Sequence, residues 1–189
     1  MARGREKFSK YKKIIGLLSK IYKLLPYSRR LKKFIKSRNK PGTWGMVKRY
    51  ALLKTLCKSV GDNVSVKEGV YLLNVQNLSI GNNVSIHPMT YIEAAGGVII
   101  GDDVSIAHSV TIMSATHNYS SKEMAIKDQG VELKPVVIEN DVWIGAKSTI
   151  LCGLTVSSGS IIGANSVVTK NVESDSIVAG APAKLIKRR

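Results

Sequence analysis

From Val60 onward, aliphatic residues recur at every sixth position. Val60, Val66 and Leu72 open the series, and Ile80, Ile86, Ile92, Ile100, Ile106 and Ile112 continue it. After a gap it resumes with Ile138, Ile144, Ile150, Val156, Ile162 and Val168. A period of 3.6 does not fit this spacing. A step of six predicts short strands joined by turns, each pointing one aliphatic side chain inward, with three flat faces to a coil of about 18 residues. The coils start at 60, 80 and 100, so each carries two extra residues. The next starts at 138, which leaves a loop, 118–135, outside the coil. β-Branched stretches such as Val64-Ser65-Val66 and Val167-Val168-Thr169 oppose a helical alternative, as does the Gly that follows many of the aliphatics. Gly or Asn is expected at the tight corners. One coil cannot bury its own face, but about five stacked coils form a continuous aliphatic column.

The N-terminal third follows a different rule. Phe8, Tyr11, Ile14, Ile15, Leu18, Ile21, Tyr22 and Leu25 stand three or four apart, with Lys7, Lys10, Lys12, Lys13, Lys20 and Lys23 between them. That pattern predicts a basic amphipathic helix. Pro26 ends or kinks it, a second basic stretch surrounds Leu31, Phe34 and Ile35, and Pro41-Gly42 breaks the pattern again. Lys20 and Lys23 interrupt the apolar run, which argues against a signal peptide and against a membrane span. Two settings suit such a helix: packing on the protein or on a neighbouring subunit, and lying on a membrane surface. The chain thus divides into a basic, mainly helical segment (1–58), a solenoid (59–173) with its loop 118–135, and a tail (174–189).

Charge sharpens this division. Of 29 Lys and Arg, 19 lie in residues 1–58 against the single acid Glu6, whereas residues 59–189 hold 10 against 12 acids. An anionic partner for the first segment follows, nucleic acid or acidic lipid. No aromatic platform accompanies the basic residues, so nucleic acid is not expected. Two cysteines and three histidines, the latter separated by 21 and 9 residues, supply neither a disulfide framework nor a zinc triad, so no metal is expected. A cytoplasmic setting is the corresponding expectation, with peripheral contact on an anionic membrane through residues 1–40.

Gly96–His108 (GGVIIGDDVSIAH), Ser114–Asn118 (SATHN), Val142–Ala146 (VWIGA), Gly163–Lys170 (GANSVVTK) and Val178–Lys184 (VAGAPAK) form an ordered set. Through it, residues 59–187 resemble the hexapeptide-repeat acyltransferases, and within them the galactoside/maltose-type and polysaccharide-biosynthesis sugar O-acetyltransferases. The resemblance implies an all-β fold, a left-handed parallel β-helix assembled as a homotrimer with active sites between subunits. It also implies acetyl-CoA as acyl donor and a sugar or glycan hydroxyl as acceptor. An amino-sugar N-acetyltransferase and a non-catalytic scaffold are the alternatives.

Acetyl transfer to a hydroxyl needs a base, donors for the oxyanion and a groove for a long anionic donor. His117, last before the loop, matches the family's catalytic histidine, and an imidazole with an ordinary pKa of about 6.5 is available as a base near neutrality. The 20-residue register places Gly97, beside Gly96, one coil before it, which predicts a hollow under the ring. His87 stands where the sugar enzymes carry an acceptor-binding asparagine, and Glu93 near their acceptor-binding acid, to bind a hydroxyl or orient His117. The resemblance assigns the cofactor groove to backbone N–H groups of Ala146 and Ala164, to Thr169 and Lys170, and to Lys184 and Lys187 in place of arginines. Trp143, pointing outward, lines that groove or covers a neighbouring subunit.

Overall fold

The computed structural model describes residues 4–189, with side chains from residue 8, so residues 1–3 of the 1–58 segment and the Lys7 side chain lie outside the description. Residues 59–179 form a parallel β-solenoid of about six turns, five complete and a sixth begun by Ser176–Ala179. Its first face stacks Ser59–Val60, Leu78–Ile80, Val98–Ile100, Val136–Ile138 and Thr155–Val156. The second stacks Ser65–Val66, Ser85–Ile86, Ser105–Ile106, Trp143–Ile144, Ile161–Ile162 and Ser176–Ala179. The third stacks Tyr71–Leu73, Tyr91–Glu93, Thr111–Met113, Thr149–Ile150 and Val167–Val168. The step of six sets the register: Val60 pairs with Ile80, Ile80 with Ile100, Ile100 with Ile138 and Ile138 with Val156. Ile86, Ile106, Ile144 and Ile162 form a second fully buried column, and Ile92, Ile112 and Ile150 a third. Each such side chain contributes about 2 kcal/mol by leaving water.

Glycine serves two tasks. At left-handed corners Gly69, Gly153 and Gly159 have φ between 72° and 75°, beside Asn63, Asn83, Asp103, Asp141 and Asn165 between 53° and 58°, where glycine or a short polar side chain is tolerated. Gly81 lacks a positive φ. A Cβ there would sit 2.6 Å from the backbone C and O of Gly101, and one on Gly61 equally close to Gly81. These glycines permit close approach of successive coils.

Three helices, not two, cap the solenoid: α1 (Gly4–Lys23), α2 (Tyr27–Ser37) and α3 (Gly42–Leu56). α3 lies between the other two helices and the first coil, and Ala51, Leu52, Leu53 and Leu56 are buried there. Tyr50 Oη donates to the Gly61 carbonyl at 2.6 Å, and burial raises its pKa. Arg49, 1% exposed, is a clasp: its Nε donates to Val66 O (2.9 Å) and its Nη1 to Ser37 O (2.9 Å) and Lys40 O (2.7 Å). The packing alternative for the N-terminal segment therefore holds for one side of α1, where Phe8, Tyr11, Ile15, Leu18 and Tyr22 turn to the core.

Two further departures lie outside the repeat. The loop begins as an antiparallel arm, Ala115–His117 paired with Val131–Leu133. The tail folds back as Lys184–Arg188, antiparallel to Ser176–Ala179 on the second face. Both depend on pairings that no period encodes.

Candidate functional site

His117 sits on the arm opposite Val131, with its side chain exposed. The anticipated hollow over Gly96 and Gly97 is filled: a Cβ on Gly96 would meet Ser114 O at 2.3 Å and Lys134 N at 2.8 Å, and one on Gly97 would lie 3.8 Å from Pro135. The arm's returning strand occupies that space, so the imidazole stands farther out than the 20-residue register implied. Ser114, fully buried, pins the foot of the arm. Its hydroxyl lies 2.9 Å from Glu93 O and accepts from Gly96 N–H at 2.9 Å, while its carbonyl accepts from Lys134 N–H at 2.9 Å. The Glu93 carboxylate accepts from Ala95 N–H at 2.6 Å and lies 3.3 Å from the Ser114 hydroxyl. Its bonds thus hold the base of the arm that carries His117.

The remaining site residues segregate to the two edges that flank the third face. One edge, after the second-face strands, stacks His87, Ala107, Gly145 and Gly163 through ladder bonds of 2.8 to 3.0 Å. Ala146 and Ala164 follow directly on this edge, and Lys184 joins it by pairing with Ala179. Among the described residues, no ladder bond uses the N–H of Ala146 or Ala164, and the Ala146 carbonyl accepts from Asn165 N–H at 2.9 Å. Two small residues with spare backbone donors therefore line one edge. The opposite edge carries His117 and, two coils on, Thr169 and Lys170, both exposed after Val167–Val168. His87 and Ala146 thus stand before the third-face strands and His117 after them, on opposite edges of that face. Lys187 pairs with Ile177 in the middle of the second face.

His87 also lines a cleft of about 890 Å³ between the cap and the second face. Its floor is a polar ladder legible in the 20-residue register. Ser85 Oγ and Ser105 Oγ are 3.3 Å apart, Asn63 Nδ2 donates to Asn83 Oδ1 at 3.0 Å, and Asn83 Nδ2 to Asp103 Oδ1 at 3.0 Å. Phe8, Tyr11 and Tyr50 form the roof. Trp143, 54% exposed, pairs with Ser105 and so continues the floor on the second face, one strand position before the Gly145-Ala146 edge. The His87 ring keeps an exposed side, yet partial enclosure, followed by the Lys67 and His108 charges, holds its pKa below the ordinary value. Among the described residues, no group of three or more His, Cys, Asp or Glu could hold a metal ion. No described helix is long and apolar enough to cross a membrane.

Comparison with known proteins fits this arrangement. The bacterial transferase hexapeptide family (six repeats) matches residues 135–170. The structure of a galactoside acetyltransferase in complex with coenzyme A superposes with a TM-score of 0.75 at 30% identity, covering 85% of this chain and 78% of that one. A hexapeptide-repeat acetyltransferase of Vibrio cholerae complexed with acetyl coenzyme A also gives a TM-score of 0.75, at 27% identity over 85% of each chain. The chloramphenicol acetyltransferase of Agrobacterium fabrum is 53% identical over 53 residues, 28% of this chain and 25% of its own. The matches span about a quarter of the length of the first curated relatives. A solenoid of stacked hexads defines the class, and the chain belongs to the hexapeptide-repeat acetyltransferases.

Proposed function

We propose that this protein transfers an acetyl group from acetyl-CoA to a hydroxyl of a sugar or glycan precursor of the surface-polysaccharide type, in the cytoplasm. His117 is the general base. Its imidazole takes the proton from the acceptor hydroxyl as that oxygen bonds to the acetyl carbon; the thioester C–S bond then breaks, and the leaving thiolate takes the proton back from the imidazolium, so coenzyme A is released as the thiol. Acetyl-CoA supplies the activated thioester carbonyl. Ala146 and Ala164 N–H groups supply donors along the donor's arm and at the developing oxyanion, with Thr169, Lys170, Lys184 and Lys187 toward its phosphates.

Because the residues are divided between two edges of one chain, the site is completed by a second copy, whose His87 edge lies against the His117 edge of the first. A closed ring of three such contacts makes a homotrimer. The observation that carries the sugar reading is the cleft beside His87. Stacked hydroxyls and carboxamides on one wall and aromatic rings on the other fit a polyhydroxylated acceptor, which offers hydroxyl groups to the first and C–H faces to the second.

A panel of oligosaccharides, nucleotide sugars and amino sugars, assayed by thiol release with acetyl-CoA, tests this reading. An ester product, cleaved by hydroxylamine, is the expected result. A stable amide product would replace it with N-acetylation. No turnover, together with no heat of acetyl-CoA binding in calorimetry, would leave a scaffold.

A further inference from the structure

The apolar arc of helix α1 is wider than packing on a core requires. Beside its buried face, Ile14, Leu17, Ile21 and Leu24 follow at intervals of three, four and three, which places them in one stripe along the helix and its C-terminal end. All four face outward, with exposures of 37%, 61%, 49% and 85%. Lys10, Lys13, Lys20 and Lys23 flank the stripe and are exposed, as are Lys32, Lys33 and Lys36 on α2. Leu18, between Ile14 and Ile21 on the helix surface, opens onto a cleft of about 430 Å³ that also holds Trp44, Lys40 and Lys48. Trp44 is 64% exposed, so an aromatic ring with its own cations borders the stripe. Among the described residues, the ion pairs of this segment are those of Lys12 and Lys54, both with Asp62 at the edge of the first coil.

We infer that α1 lies in the plane of an anionic phospholipid surface, with Ile14, Leu17, Ile21 and Leu24 among the upper acyl chains and the flanking lysines on the headgroups. A row of exposed aliphatics bounded by cations is the pattern of an interfacial helix, and Trp44 adds the amphipathic ring that favours the same boundary. Charge selects this occupant. Residues 1–58 carry 19 Lys and Arg against one acid, so a two-fold contact with a second copy would set like charges against each other. A nucleic acid would engage the lysines but leave the aliphatic row uncovered. The inference is independent of the proposed acetyl transfer.

The test is co-sedimentation of the full chain with vesicles of phosphatidylglycerol and phosphatidylcholine, and with vesicles of phosphatidylcholine alone. The protein is expected to pellet with the anionic vesicles at about 0.1 M salt and to be released at about 0.5 M, where screening is short-ranged. It is expected to remain in solution with the neutral ones. Leu17→Glu/Leu24→Glu changes only exposed side chains, and should lower the bound fraction at least tenfold with an unchanged thermal melt. Equal binding to both vesicle types, or full binding by the double variant, would overturn the inference. So would a change in its sedimentation mass without lipid, which would give the stripe to a second copy of the chain.

Discussion

In the solenoid, Ile86, Ile106 and Ile144 are buried because each repeats the position of the one before it, and the backbone ladder carries the register from coil to coil. In the cap, Leu52, Tyr50 and Arg49 are buried because three helices of unequal length meet at one place, and Arg49 reaches three carbonyls around the end of α2 as well as that of Val66 in the first coil. The first region is specified by a period, the second by particular side chains. Charge divides along the same line, nearly balanced in the repeat and strongly positive in the cap. A repeating wall supplies straight edges of backbone donors, suited to a long extended donor molecule. In the proposed function, departures from repetition, such as the arm bearing His117 and the cap over the His87 cleft, are what distinguish one acceptor from another.

Truncation in each core probes that division most strongly. Ile106→Ala and Leu52→Ala should each cost about 3 kcal/mol of stability in urea unfolding. Hydrogen exchange should separate them. The solenoid variant accelerates exchange through neighbouring coils, whereas the cap variant loosens residues 8–58 and leaves the coils around Ile150 protected. Equal spreading from both sites would erase the distinction.

Glycine gives a smaller contrast. Gly81→Ala should destabilise by about 2 kcal/mol, because its Cβ meets backbone at 2.6 Å, which cannot turn aside. Gly16→Ala, on the open side of α1 with nothing within 4 Å, should stabilise by about 0.7 kcal/mol through helix propensity. Thermal melts measure both, and a stabilised Gly81→Ala would contradict the close-approach explanation.

The smallest effect concerns His87, at the junction of the two regions. Its folded pKa is depressed by partial burial and by the Lys67 and His108 charges. As pH falls through the ordinary histidine range the unfolded chain takes the proton first, so this group lowers stability on the acid side until its own depressed pKa is passed. His87→Gln should flatten that acid-side decline relative to the parent in urea titrations at several pH values. Parallel profiles would remove the depressed pKa from the account.

The period made most of the fold legible. Three aliphatics per coil, the 20-residue step and the excursion at 118–135 follow from Val60 to Val168 alone. His117 is legible as the last residue before the loop, but the filling of the Gly96-Gly97 space by Lys134 and Pro135 is not, because that strand returns from the far end of the loop and answers to pairing rather than repetition. The fold-back of Lys184–Arg188 likewise answers to pairing rather than to the period. Along α1 the apolar arc is wide, and only its seating on α3 divides Ile15 from Leu17. The serines at 65, 85 and 105 were visible as a repeat, yet their meaning as the floor of a cleft depended on the cap above them.

The proton acceptor itself is the most exacting point. Thiol release from acetyl-CoA, followed with a sugar acceptor for the parent and for His117→Ala, measures it directly. The variant alters an exposed ring on the arm and should fold and bind acetyl-CoA as the parent does, while its turnover drops by about 10²- to 10⁴-fold. Turnover within a factor of about 2 of the parent, far below the range expected for a lost general base, would contradict the account.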